Sequence, residues 1–294
     1  MSRCIVTGHM GYIGSRLIEE LKSLGHDAVG VDIKDGKNIN SYEGLKEADD
    51  GCFHPRWFNF KPDYVFHLAC FPRVGYSIEN PVQTMSNNVI AGSNVLNFAR
   101  KVGAKRVIYS SSSSVVGNGS GPTNPYALQK LTTEIETRLY SEIYGIDTVS
   151  LRYFNVYSED QAADGPYATA VSNWMNYIRK NKTPFITGDG TQRRDMLHVD
   201  DAVSANVFAM NYKDSFHGRT FDVGTGQNIS LNEIKNIVKE YFNDIKFVNV
   251  KPRPNEVSTT IASTKELAAL GWKTKISINE GIHNCFKELK NELS

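Results

Sequence analysis

The sequence predicts an α/β fold organised around a parallel sheet. Short β-branched runs alternate with amphipathic stretches over the first 155 residues. Those runs are continuously apolar, as strands covered on both faces are, and a glycine-rich turn joins the first run to the first amphipathic stretch. Cys4-Ile5-Val6-Thr7 reads as a strand, and the segment from Tyr12 to Leu24 reads as a helix, with Ile13, Leu17, Leu21 and Leu24 at helical spacing. Ala28 to Asp32 is the next strand. Tyr64 to His67, Arg106 to Tyr109 and Thr148 to Leu151 continue the series, with helices expected at about 80–102 and 125–144. The second half is more mixed, and its helices are expected near 166–180, 197–211, 230–242 and 277–290.

Composition narrows the function. Across 294 residues, 40% are hydrophobic and 22% charged, the balance of an ordinary soluble domain. The 33 basic and 32 acidic residues leave a net charge of +1, which argues against nucleic acid as a partner. No apolar run approaches the length of a membrane span. The N-terminus turns to glycine too early for a signal peptide. Cys4, Cys52, Cys70 and Cys285 are scattered without a CxxC pair, which suits a reducing cytoplasm. Cys52 and His54 alone do not make a metal site, so no metal is expected.

Thr7-Gly8-His9-Met10-Gly11-Tyr12-Ile13-Gly14 lies between the first strand and the first helix. Gly8 permits a tight turn, Gly11 lets backbone N–H groups approach a pyrophosphate, and Gly14 lets helix and strand pack closely. The helix N-terminus then offers unsatisfied donors and a positive dipole end to phosphates. Asp32 follows Gly14 by eighteen positions, at the end of the second strand. A carboxylate there accepts ribose hydroxyls and repels a 2′-phosphate, so NAD is expected in preference to NADP. The spacing is GxxGxxG, and the sheet it implies is a doubly wound one of Rossmann type.

Tyr126 and Lys130 form a YxxxK pair within Pro125-Tyr-Ala-Leu-Gln-Lys130. Four residues apart on a helix, both side chains share one face. Pro125 suits the first turn of that helix. A lysine ammonium and a positive nicotinamide nearby favour the phenolate, which makes Tyr126 a candidate general base. The serine run after the Arg106–Tyr109 strand offers a further donor to the reacting oxygen.

Taken with these motifs, the chain resembles the extended short-chain dehydrogenase/reductase family, especially its nucleotide-sugar epimerases of the UDP-glucose 4-epimerase type. His67-Leu68-Ala69, the Asn88 to Leu96 segment, Arg152-Tyr153-Phe154-Asn155-Val156-Tyr157, Gly188-Asp189-Gly190, Arg194-Asp195 and His198-Val199-Asp200-Asp201 carry the likeness. It implies an NAD-binding domain over 1–155, rejoined near 196–224, and a smaller mixed nucleotide-sugar domain over 156–195 and 225–294. By the same likeness Tyr12, Ile13 and Asp32 hold the adenosine half of NAD, and Leu68 and Ala69 line its middle. Asn88 and Lys130 sit by the nicotinamide ribose, and Phe154 is a further cofactor contact. Ser112 becomes the catalytic hydroxyl beside Tyr126 and Lys130. Asn155, Arg194, Arg253 and Glu256 become contacts of the nucleotide. Thr260 stands where the family gates the sugar's 2-substituent, and a threonine leaves room for an N-acetyl group. The implied reaction is inversion at C4 of a UDP sugar through a transient 4-keto sugar. A homodimer paired through the helices at about 80–102 and 125–144 is also implied, with Val95, Leu131, Ile135 and Leu139 as its apolar residues.

The sequence departs from the family in several places. Only eleven residues separate Ser114 from Tyr126, Ser158 replaces a glycine, and Pro72 and Arg73 stand where many epimerases carry lysine. The adenine pocket is open, with Asn38 and Ile39 as candidates. The alternative activities are a dehydratase, decarboxylase or reductase of the same family, or a non-enzymatic NAD-binding protein. Dehydratases and decarboxylases place an acid just after the catalytic hydroxyl, where this chain has Ser113 and Ser114. A non-enzymatic role is disfavoured by the presence of both Tyr126 and Lys130.

Overall fold

The computed structural model describes residues 1–39, 60–117, 119–161, 168–252 and 257–294. The chain runs β1 (Arg3–Thr7), α1 (Tyr12–Ser23), β2 (Asp27–Val31), β3 (Tyr64–His67), α2 (Val74–Glu79) and α3 (Pro81–Met85). A π-helical turn, Ser86–Ile90, leads into α4 (Ala91–Val102), and β4 (Arg106–Ser112), α5 (Pro125–Tyr144) and β5 (Asp147–Tyr153) follow. Then come β6 (Val156–Tyr157), α6 (Ala170–Arg179), β7 (Phe185–Thr187), β8 (Arg193–Arg194), β9 (Leu197–His198), α7 (Val199–Asn211) and β10 (Thr220–Val223). The chain closes with β11 (Ile229–Ser230), α8 (Leu231–Tyr241), β12 (Val248–Val250), α9 (Lys265–Ala269) and α10 (Ile278–Leu293).

Six strands form one sheet in the order β10-β5-β4-β3-β1-β2. β1 pairs in parallel with β2 on one side and with β3 on the other, with Thr7 opposite both Val31 and His67. Successive strands leave β1 in opposite directions, so a topological switch point lies at the carboxyl ends of β1 and β3. Ligands of doubly wound sheets bind at such a crevice. The turn at Gly8 and the loop after His67 both begin there.

The described residues cluster into two compact units. One comprises Met1–Val115, Pro122–Arg152 and Val203–Phe221, and the other Val116–Gly121, Tyr153–Ala202 and Asp222–Ser294. The excursion at Val116–Gly121 has no counterpart in the expected division. Within the first unit, Ile5, Val31, Val65, Val95, Leu96 and Val107 belong to one buried cluster. Val95 is wholly buried in it, which corrects its expected place on a dimer face. Within the second, Trp174, Met175, Ile186, Val238, Ile282 and Phe286 form a separate core.

Two features of the first unit escape a reading by periodicity. The helix expected over 80–102 is interrupted by the Ser86–Ile90 π turn, and α2 precedes it. Arg106, 5% exposed, turns inward. Its guanidinium bonds the Asp147 carboxylate at 2.5 Å and donates to the carbonyls of Ala209, Tyr212 (2.9 Å) and Asp214 (2.7 Å), where α7 ends. Cations are favoured at that end of a helix, where carbonyls lack partners.

Candidate active site

The glycine turn has the geometry a dinucleotide needs. Gly8 is left-handed at φ +72°, and a Cβ there would lie 2.7 Å from the Ala69 backbone nitrogen. A Cβ on Gly14 would lie 2.2 Å from the Gly8 carbonyl oxygen. Neither position accepts a side chain. Gly11 is the N-cap of α1 and supplies no side-chain cap, so the first N–H groups of the helix keep their capacity for an anion. Tyr12 and Ile13 open that helix, half-buried. Leu68 and Ala69 are also half-buried, held by Thr7: its carbonyl accepts from the Leu68 N–H at 3.2 Å and its hydroxyl from the Ala69 N–H at 3.3 Å.

Asp32 is 8% exposed and closes β2 beside this turn. Its two oxygens accept from the backbone N–H groups of Met10 (3.1 Å) and Lys34 (3.0 Å). A carboxylate has about four lone-pair positions, so capacity for ribose hydroxyls remains. The donor set therefore fits NAD: a glycine cradle, an open helix N-terminus and an acid at the ribose position. Of the two adenine-pocket candidates, Asn38 is half-buried and Ile39 is buried in the first unit's core.

The YxxxK pair sits on α5, whose start is fixed from two sides. The Asn124 side chain accepts from the Ala127 N–H at 3.0 Å, and the buried Ser77 hydroxyl of α2 accepts from the Tyr126 N–H at 3.1 Å. Tyr126 (8% exposed) and Lys130 (2%) both face inward. The Lys130 ammonium donates to the Ser110 carbonyl at 2.6 Å and lies 5.0 Å from the centre of the Tyr109 ring. The Ser112 hydroxyl donates to the Ser114 hydroxyl at 3.1 Å and acts to lower the Tyr126 phenol. Of the other serines of the run, Ser111 turns to Glu134 and Ser114 bonds Ser112 through its backbone N–H at 3.2 Å.

Burial pushes the Tyr126 phenol above its ordinary value, although Lys130 and Ser112 pull it down. The expected lowering is thus outweighed in the protein alone, because desolvation disfavours the phenolate more than one ammonium favours it. His67 closes the floor. Its Nδ1 lies 2.8 Å from the Thr7 hydroxyl, and its ring stacks on Tyr109 with centroids 5.6 Å apart. Burial, aided by Lys130, takes the imidazole down to about 3, so His67 stays neutral beside the lysine.

Asn88 lies in the π turn, a helix irregularity common at functional positions. Its side chain binds both backbone groups of Phe71, accepting from the N–H at 2.7 Å and donating to the carbonyl at 3.1 Å. It also donates to Gln129 at 2.8 Å, and Gln129 in turn donates to the Thr84 hydroxyl at 2.9 Å. Asn88 thus anchors the loop after β3 to the catalytic helix. Ser77, Gln129, Glu134 and Arg152 were not foreseen as parts of this site. An isolated polar residue in a sequence reads as surface, and only its buried partners reveal otherwise.

In the second unit, Asn155, Arg194 and Thr260 are neighbours. Asn155 is left-handed (φ +37°), a conformation asparagine tolerates better than most residues. Its amide donates to the Asp195 carbonyl at 2.7 Å and to the Thr260 hydroxyl at 3.4 Å. Thr260 also exchanges backbone bonds with Arg193 and Asp195, both at 3.1 Å, so it is tied into the unit and only half-exposed. The Arg194 guanidinium donates to the Arg193 carbonyl at 2.9 Å. Phe154 is buried and bonds Val223 through its N–H at 3.2 Å. Asp195 faces the interior and accepts from the N–H groups of Thr225, Gly226 and Ala262 at 2.9–3.0 Å. Burial raises its carboxyl against these bonds. Arg253 and Glu256 lie outside the described residues, as do Cys52 and His54. Among the described residues no group of His, Cys, Asp and Glu could hold a metal ion, and no helix is long and apolar enough to cross a membrane.

Comparison with known proteins agrees with this geometry. A putative UDP-glucose 4-epimerase of Methanocaldococcus jannaschii is 33% identical, with 98% of each chain covered. The crystal structure of UDP-glucose 4-epimerase from Thermotoga maritima with UDP-glucose superposes with a TM-score of 0.85 at 28% identity, covering 99% of this chain and 100% of that one. The Thermus thermophilus UDP-glucose 4-epimerase complex with NAD gives a TM-score of 0.83 at 26% identity, covering 98% and 99%. Residues 4–224 match the family described as NAD dependent epimerase/dehydratase, and with the glycine cradle and the YxxxK helix both inside that span, the chain belongs to this family.

Proposed function

We propose that the protein is an NAD-dependent 4-epimerase of UDP sugars. The observation that carries this reading is the convergence of Tyr126, Ser112 and Lys130 at the end of β4, in the same unit as the glycine cradle. The UDP-glucose 4-epimerases to which the chain is similar over nearly its whole length support the substrate class. NAD, when bound, supplies a reversible hydride acceptor at C4 and a positive ring charge near the phenol. Gly8, Gly11, Tyr12, Ile13, Gly14 and Asp32 would hold its adenosine and phosphates, with Leu68, Ala69, Asn88, Lys130 and Phe154 along the rest. Tyr126 takes the proton from the sugar's 4-hydroxyl and later returns it. Ser112 bonds the same oxygen, and Lys130 stabilises the phenolate by its charge. In the second unit Asn155, Arg194, Arg253 and Glu256 would bind the nucleotide and Thr260 the sugar. That division of labour makes residues 156–195 and 225–294 the nucleotide-sugar domain.

Two further parts of the reading concern the assembly. A homodimer is supported by the outward apolar residues of α5, Ile135 (46% exposed) and Leu139 (38%). A cytoplasmic location is supported by cysteines that stay unpaired among the described residues. The test of the activity is incubation with UDP-glucose and UDP-N-acetylglucosamine, following the 4-epimers by NMR. Turnover of both is expected, with the N-acetyl sugar lost selectively in Thr260→Tyr. No epimer from either sugar refutes the activity, and an unmoved ratio of kcat/KM in the variant removes Thr260 from the sugar pocket.

A further inference from the structure

Two successive serines of β4 are held by two residues of α5. Ser110 gives its carbonyl to Lys130, and Ser111 gives its hydroxyl to Glu134. Glu134 is 4% exposed and lies one helical turn beyond Lys130, on the same face. Its carboxylate meets Arg152 of β5 in a bidentate pair, with Nε 2.8 Å from one oxygen and a terminal nitrogen 2.6 Å from the other. We propose that Arg152 is a positioning residue for the catalytic pair: by neutralising Glu134 it keeps the charge of Lys130 directed at Tyr126.

Stability alone does not explain this pair. A buried ion pair is commonly no more stabilising than apolar residues of the same volume, whereas one buried charge left alone is strongly destabilising. A carboxylate at this position, uncompensated, would attract the Lys130 ammonium and disfavour a phenolate nearby. The other groups around the pair do not substitute for Arg152. His67, from β3, is neutral. Tyr109, from β4, is itself driven far above its ordinary value by burial, and Cys70, from the loop after β3, acts to raise the Tyr126 phenol. Glu136, also on α5, is turned to the Ser93 hydroxyl at 2.8 Å. Arg152 is thus the cation that faces Glu134 bidentately.

The inference rests on Tyr126 being the base, so its test reads the phenol directly as well as the reaction. In the NAD-loaded protein, phenolate absorbance is titrated in each variant and in the same variant carrying Tyr126→Phe, and the pH profile of kcat is measured alongside. Arg152→Met is expected to raise the phenol midpoint and the acid limb of kcat together by about one pH unit, roughly a tenfold loss near neutrality that alkali recovers. Arg152→Lys should keep both near wild type, and Arg152→Met combined with Glu134→Gln should restore them. Glu134→Gln alone, which retains the shape and the acceptor for Ser111, should lower the midpoint. A uniform loss of kcat with an unmoved midpoint in Arg152→Met, or an unmoved or raised midpoint in Glu134→Gln, overturns the inference. If the midpoints move as expected while wild type turns over no UDP sugar, the pair stands and the proposed reaction falls.

Discussion

At the scale of the residue, the proposed reaction turns on how few atoms Tyr126 can share its proton with. Its phenol is buried and within the influence of Lys130 and Ser112, so removal of the oxygen leaves a well-packed ring without an acceptor. Tyr126→Phe should therefore lower kcat by roughly 10²–10⁴-fold while the purified protein retains NAD, read by product formation and by cofactor released on denaturation. Wild-type turnover in that variant would remove Tyr126 from the mechanism. Asp32 offers a cleaner substitution than its burial suggests. Asparagine can still accept from the Lys34 N–H, as Asp32 does at 3.0 Å, while giving up the Met10 bond, and it carries no charge to repel a 2′-phosphate. Asp32→Asn should reduce the preference for NAD over NADP by about tenfold, equivalent to ~1.4 kcal/mol, in calorimetric titrations. Both residues were legible in the sequence because each stands at a fixed distance from a motif. Glu134, Arg152 and Arg106 were not, because nothing in a sequence marks which charges face inward. Their partners come from β4, β5 and the end of α7, brought together only by the fold.

At the scale of the element, legibility followed length. The long amphipathic helices and the central strands stand where periodicity puts them: α5 covers Pro125–Tyr144 and α1 Tyr12–Ser23. Strands of two or three residues, such as β6, β8 and β9, are too short for alternation to register. α2 has Pro72 just before it and Gly75 inside it, both of which read as loop. Yet these short elements carry inward-facing polar groups. His198, in β9, lies 3.1 Å from Glu159. Burial alone would lower the imidazole, but the Glu159 hydrogen bond and charge, with Asp200 and Asp201, raise it above its ordinary 6.5. The same bond holds Glu159 below its ordinary 4.5, against burial. The carboxylate's contribution is present above pH 4.5 and fades as pH falls through its lowered value. The imidazolium's is full below pH 6.5 and fades as pH rises through its raised value. The pair should thus add most to stability between those two values. The drop in Tm caused by His198→Gln should be largest in that window and shrink on the alkaline side. A drop independent of pH would show that His198 matters by packing alone.

At the scale of the whole molecule, the outward face of α5 asks for a cover. Leu128 is 49% exposed and Ile143 65%, in line with Ile135 and Leu139 at helical spacing. Leu128 also lines a cavity of about 450 Å³, with Asn124 and Gln129 among its other walls beside Pro81, Met85, Pro122, Pro125 and Leu131. Wild type should sediment as a dimer at micromolar concentration, and Ile135→Lys with Leu139→Lys should sediment as a folded monomer, because a lysine cannot be buried unpaired. A wild-type monomer would leave the stripe without that partner. The anchoring of the loop after β3 carries a lesson for anyone wishing to give this scaffold a new sugar. That loop is tethered at Phe71 by Asn88, the α2 helix that follows it is tethered at Ser77 by the Tyr126 backbone, and Asn88 is in turn tethered to Gln129. A grafted loop that fits the sugar but drops either tether would also remove one of the bonds that support α5. The portable unit is therefore the loop together with Asn88 and Gln129, and a library that varies only the residues between the two tethers keeps the base where it is.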